Sequence, residues 1–186
     1  MGAKAPTVFP FASMGLVLIG MMGAGKTTVG RLCAAHLGWL FVDTDEEIVR
    51  QAGMSIEKIF EEKGEGWFRE QESEKLFQYL ESGERLVVSA GGGAPMVEKN
   101  WEAFRGIGLV VYLRATVSTL LSRVGGGEGR PLLKGNAEER LRKLLAERKG
   151  VYERADWIVD VDGLDVEEVV RRVVAIAQGA YKDAED

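Results

Sequence analysis

Residues 16–30 read LVLIGMMGAGKTTVG. An apolar β-type run, Leu16–Gly20, enters a glycine-rich turn, and helical spacing runs from Ala24 to Leu37 before Gly38. Read strictly, the turn is Gly20-x-x-x-x-Gly25-Lys26-Thr27, the P-loop pattern in its required strand–turn–helix setting. The residue types follow from the chemistry. A chain that wraps a phosphate must aim backbone N–H groups inward, and glycine allows those torsions. The helix N-terminus adds unpaired N–H groups and its positive dipole end. A lysine supplies charge to the β/γ-phosphates, and a threonine hydroxyl can ligate Mg²⁺. The alternative is a glycine-rich turn holding a chance lysine, which four fixed positions in the right context disfavour. The pattern predicts nucleotide binding and leaves the phosphate acceptor open.

Outward from this stretch, strand and helix signals alternate. Short apolar strands are expected at Trp39–Val42, Arg85–Ser89, Leu109–Leu113 and Trp157–Val161. Helices are expected near Glu46–Ala52, Ile56–Lys63, Trp67–Leu80, Val97–Phe104, after Thr116, at Ala137–Arg154 and at Asp165–Ala177. Such alternation predicts an α/β fold, a parallel sheet covered by helices on both faces. Residues 1–14 read as a lead-in, 15–178 as one domain and 179–186 as a polar tail.

Composition narrows the classes. The 186 residues carry 29 acidic and 24 basic side chains, a net charge of -5, which argues against non-specific nucleic-acid binding. One cysteine, Cys33, and one histidine, His36, exclude an internal disulfide and a His/Cys zinc site. His36 falls on the first predicted helix and reads as structural. The longest apolar run, Met14–Met22, is too short to cross a bilayer. No membrane partner is expected, and the elements point to the cytoplasm, or to a plastid if a transit peptide has been removed.

Three further stretches bear on the acceptor. FVDTD, Phe41–Asp45, ends the second strand, where ligands of parallel sheets sit. One of Asp43 and Asp45 could serve a metal through water, and the other could take a hydroxyl proton. Helix capping by Asp45 is the plainer reading. SAGGGAP, Ser89–Pro95, ends the third strand, and Gly91, Gly92 and Gly93 signal either close approach to a ligand or a simple turn. Arg69, Arg130 and Arg148 carry forks suited to carboxylate or phosphate, although a single arginine is commonly solvated surface. Arg130 ends a glycine run, Gly125–Gly135, placed as a closing lid would be. Glu72, three residues after Arg69, could hold that guanidinium in place.

Together, GMMGAGKTTVG, FVDTD, IFEEKGEGWFREQE, SAGGGA, and RPLL with its spacing to AERKGVY resemble the shikimate kinases, over roughly Leu16 to Ala177. The resemblance implies a three-layer P-loop kinase fold with five parallel strands and a mobile lid at about 125–135. It implies transfer of the ATP γ-phosphate to the 3-hydroxyl of shikimate, in aromatic amino-acid biosynthesis. Gly23, Ala24, Gly25, Lys26, Thr27 and Thr28 would hold the ATP phosphates, with Thr27 on a single Mg²⁺ and Asp43 reaching it through water. Asp45 would bind the shikimate hydroxyls as base or positioning group. Arg69 and Arg148 would clamp its carboxylate, and the Gly91–Gly93 loop would meet it, Gly92 through its N–H. Arg130 would reach the transferring phosphate, and Arg123 would lie against adenine. A monomer is expected. Two alternatives stay open: a gluconate-type small-molecule kinase, and a non-catalytic nucleotide-binding paralogue. One region departs from the family. Asp160–Glu168, DVDGLDVEE, lacks the proline and basic residue usual in its adenine loop, so backbone contacts would have to hold adenine there.

Overall fold

The core strands are the three most apolar runs of the chain. β1 (Leu16–Ile19), β3 (Leu86–Ser89) and β4 (Leu109–Arg114) are buried almost throughout. Strands with helices on both faces need apolar side chains on both faces, so they read as continuous rather than alternating runs. The edge strands β2 (Leu40–Asp43) and β5 (Trp157–Asp160) are partly exposed, with Leu40 and Trp157 open to solvent. The computed structural model describes residues 14–124, 131–133 and 136–182. Its sheet has the order β2-β3-β1-β4-β5, and every pairing is parallel. Leu16 aligns with Val87 on one side and with Leu109 on the other, so β1 sits at the centre.

Eight α-helices complete the described residues: α1 (Lys26–Leu37), α2 (Thr44–Ala52), α3 (Ile56–Glu62), α4 (Gly64–Ser82), α5 (Asn100–Ile107), α6 (Val117–Val124), α7 (Ala137–Tyr152) and α8 (Val166–Lys182). The three-layer α/β expectation therefore holds, and element boundaries shift by a few residues. The helix expected from Val97 begins at Asn100, after a 3₁₀ turn over Ala94–Met96. The side chains of Asn100 and Trp101 donate to the carbonyls of Ala94 and Pro95, both at 2.9 Å, and so fix the turn ahead of the helix.

A larger correction concerns the C-terminus. α8 continues to Lys182, where a polar tail was expected from residue 179. Tyr181 is the cause. It is buried, packs edge-on against Trp39, donates to the Gly15 carbonyl and accepts from the Leu109 N–H. One aromatic anchor thus ties the last helical turn to the starts of β1 and β4.

Two apolar clusters position the site. The main one spans the sheet and its covering helices. A smaller one joins Ile48, Ile59 and Phe68, with Ile56, Phe60 and Trp67 packed on it. It binds α2, α3 and α4 into a shelf beside the carboxyl ends of β2 and β3. The proposed lid falls mostly outside the described residues; its described part, Pro131–Leu133, is a 3₁₀ turn.

Candidate active site

The turn after β1 carries left-handed glycines where a phosphate loop needs them. Gly25 is the N-cap of α1 at φ 95°, a conformation that penalises any Cβ. The Lys26 ammonium donates to the carbonyls of Gly20 at 3.0 Å and Met21 at 3.1 Å, lying across the mouth of the loop. Ala24 is buried beneath it. Arg123, from α6, donates to the Gly23 and Ala24 carbonyls, both at 3.3 Å.

The end of β2 meets this loop. Thr27 donates its hydroxyl to Asp43 Oδ2 at 2.7 Å. Asp43 Oδ1 accepts the N–H groups of Asp45 at 3.0 Å and Glu46 at 3.2 Å, so Asp43, and not Asp45, caps α2. One carboxylate thus satisfies the helix start and faces the P-loop threonine. This donor pair fits Mg²⁺. A hydroxyl and a nearby carboxylate are hard oxygen donors, and Mg²⁺ takes few protein ligands beside phosphate oxygens and water. Among the described residues there is no cluster of three or more His, Cys, Asp or Glu that would hold a metal by itself.

Two of the three glycines after β3, Gly91 and Gly93, are explained by what crowds them. A Cβ on Gly91 would lie 2.0 Å from Glu72 Oε1 and 2.4 Å from Asp45 Oδ1. A Cβ on Gly93 would lie 2.2 Å from the Arg69 guanidinium carbon. Gly91 and Gly93 are bare because two carboxylates and an arginine are pressed against them. Gly91 donates its N–H to the Thr44 hydroxyl at 2.9 Å, and its carbonyl accepts from Ala94 at 3.0 Å. Its polar groups therefore serve the fold. The Gly92 carbonyl accepts from Arg148 at 3.1 Å and from the Tyr152 hydroxyl at 2.6 Å.

Arg69 is held as its spacing in the sequence predicts. It pairs with Glu65 at 2.9 Å and with Glu72 one turn on, the three residues sharing a face of α4. Glu72 is wholly buried. Burial pushes its carboxyl up to about 7; Arg69 pulls the other way, and the Asp45 charge adds to the rise. From pH 4.5, the ordinary value of a glutamate, to about 7, the folded chain keeps a proton that the unfolded chain has released. Stability from this group is full below that range and is lost as pH climbs through about 7. The Tm advantage of wild type over Glu72→Gln should accordingly shrink as pH rises from about 5 to 8. A gap that stays constant or widens in thermal melts would contradict this assignment.

Predicted residues converge on one pocket of ≈ 560 Å³. Gly23, Gly25, Lys26, Thr27, Thr28 and Arg123 line one end; Asp45, Arg69, Gly92, Gly93 and Arg148 line the other, with Asp43 in the same wall. Gly91 and Ala24 stand behind this lining. Arg130 lies outside the described residues. Four contributors were not predicted. Thr44 sits between the two predicted aspartates and pins Gly91. Tyr152 follows Arg148 by four residues on α7, a spacing that puts both on one face. Phe60 and Phe68 supply an apolar wall. His36 lies on the exposed side of α1 and bonds locally, to the Leu32 carbonyl.

A phosphate loop at the carboxyl end of a parallel sheet, facing a second half-site with two arginines and a carboxylate, defines a P-loop kinase for a small anionic acceptor. The sequence model of the shikimate kinase family matches residues 22–178. A shikimate kinase of Geobacter sulfurreducens is 42% identical over 170 residues, covering 91% of this chain and 93% of the relative. The solved shikimate kinase of Acinetobacter baumannii in complex with shikimate superposes with a TM-score of 0.84 at 37% identity, covering 89% of this chain and 93% of that one. The chain belongs to the shikimate kinase family, ATP-dependent kinases that phosphorylate a hydroxyl group. A gluconokinase of Sinorhizobium meliloti, 21% identical over 94% of this chain and 98% of that one with a TM-score of 0.59, shares the fold.

Proposed function

We propose that the protein transfers the γ-phosphate of ATP to the 3-hydroxyl of shikimate, giving shikimate 3-phosphate and ADP. One observation carries the reading: a single pocket joins the Lys26–Thr27 loop to the Asp45, Arg69 and Arg148 half-site. Shikimate is a carboxylate bearing hydroxyls. Arg69 and Arg148 suit its carboxylate, and Asp45 suits the hydroxyl to be phosphorylated. Gly92 meets the acceptor through its N–H, and Gly93 leaves room for Arg69.

In the reaction the 3-oxygen attacks the γ-phosphorus, and its proton passes to Asp45. The bond to the bridging oxygen breaks, and that oxygen leaves with its electron pair on ADP. Lys26 spreads charge over the β- and γ-phosphates. Gly23–Thr28 cradle them, and Arg123 lies at the nucleotide end. Arg130 is assigned to the transferring phosphate by the family resemblance. One Mg²⁺, held by Thr27 with Asp43 reaching it through water, would neutralise phosphate charge. We assign the protein to the cytoplasm as a monomer, without nucleic-acid or membrane partners. Among the described residues no helix is long and apolar enough to cross a membrane.

The test is ADP release from ATP and Mg²⁺ with shikimate, quinate or gluconate. Release stimulated by shikimate alone supports the reading. Stimulation by gluconate would shift it to a sugar-acid kinase, and none by any acceptor to a binding protein. Arg148→Ala should raise the shikimate KM roughly 10- to 100-fold with little loss of kcat, since a remote carboxylate is bound equally in ground and transition states. An unchanged KM would remove the clamp.

A further inference from the structure

The Tyr152 hydroxyl sits behind the pocket, between the loop after β1 and the glycine loop after β3. Its oxygen is 2.6 Å from the Gly92 carbonyl and 3.4 Å from Met21 Sδ. Met21 belongs to the phosphate loop, and its own carbonyl accepts from Lys26 at 3.1 Å. Gly92 belongs to the acceptor loop, and its carbonyl also accepts from Arg148 at 3.1 Å. A continuous set of contacts thus runs from Lys26 through Met21, Tyr152 and Gly92 to Arg148.

A hydroxyl has one proton to give, and a carbonyl is a stronger acceptor than a thioether. The phenol proton therefore goes to Gly92. With Arg148 on the same oxygen, both lone pairs of that carbonyl are used. The ring is buried and packs on Tyr112, 5.0 Å between centroids, so the hydroxyl has little freedom. A phenol is already protonated at neutral pH, and burial raises its pKa further, so the hydroxyl is a donor.

We propose that Tyr152 is a positioning residue: through the Gly92 carbonyl it sets the acceptor loop and the Arg148 guanidinium in register with the phosphate loop. The inference rests on the assignment of Arg148 to the acceptor carboxylate. Touching neither reactant, Tyr152 acts through Gly92 and Arg148.

Tyr152→Phe keeps the ring and removes only the hydroxyl, and Gly92 retains Arg148 as a partner. Two measurements test it. Amide hydrogen exchange over Gly91–Gly93 in the ligand-free protein should be faster in Tyr152→Phe than in wild type. The shikimate KM should rise roughly fivefold, the scale of one neutral hydrogen bond, with kcat within about twofold. In an Arg148→Ala background the same change should move KM less than about fivefold, because part of the effect passes through Arg148 and the rest through the Gly92 loop. Unchanged exchange, an unchanged KM, a fivefold effect that persists without Arg148, or a lowered Tm with exchange and KM both unmoved would each overturn the proposal. The exchange comparison needs no substrate. It tests the tether even if Arg148→Ala, by leaving KM unaltered, removes the clamp itself.

Discussion

Lys26→Ala will turn over roughly 10²–10³-fold more slowly than wild type, the cost of removing one preorganised donor from a developing charge. Phosphoryl transfer depends on positioning and charge stabilisation more than on covalent help. Lys26 sits in the first turn of α1, and its ammonium reaches the Gly20 and Met21 carbonyls across the loop mouth. A bound triphosphate offers that ammonium a far stronger partner than two neutral carbonyls. The loss should appear in kcat at saturating ATP and shikimate, since the charge it meets grows toward the transition state. Gly20 and Met21 are buried, so losing the ammonium leaves their carbonyls short of a partner, and Tm should fall modestly. ADP release at saturation and a thermal melt check both halves. Turnover near that of wild type would withdraw Lys26 from the chemistry.

Asp45→Asn is the second large effect. The asparagine fits the same space and still accepts a hydrogen bond, but it is a poor proton acceptor. A positioned general base contributes typically ~10²–10⁴-fold, so kcat should fall by at least about 100-fold. The shikimate KM should change much less. Asp45 is the second residue of α2, and Asp43 holds its backbone N–H. The cap survives the substitution because it belongs to Asp43, so helix stability should be retained. Steady-state kinetics separate the roles. A raised KM with kcat intact would make Asp45 a hydroxyl binder and leave the proton to another acceptor.

The two substitutions probe opposite ends of the pocket, and the sequence showed those ends unequally. Lys26 was readable because its meaning is local: strand, glycine turn and helix start are contiguous, and each residue type has a steric or electrostatic reason to be there. Asp43 and Asp45 were readable as a pair, but which of them capped the helix was not. Capping depends on backbone torsions at the junction, and either aspartate could supply the oxygen. Arg69 and Glu72 could be paired from their spacing on one helix. That Glu72 is buried against Asp45 could not be read, because their closeness arises only when α2 and α4 pack together.

The sequence by itself determined the alternation of strands and helices, the phosphate loop and its lysine, and the family to which the chain belongs. Each rests on short-range signals: apolar runs, helical period, and glycine where torsion or space requires it. The tertiary structure alone decided the strand order that places β1 between β3 and β4. It showed why Gly91 and Gly93 have no side chains, and that Thr44 and Tyr152 bond to the Gly91 N–H and the Gly92 carbonyl. It also extended α8 to Lys182 through Tyr181. These features are contacts between segments far apart in the chain. Their free energy arises from burial and hydrogen bonding across helices and sheet, which no local pattern records.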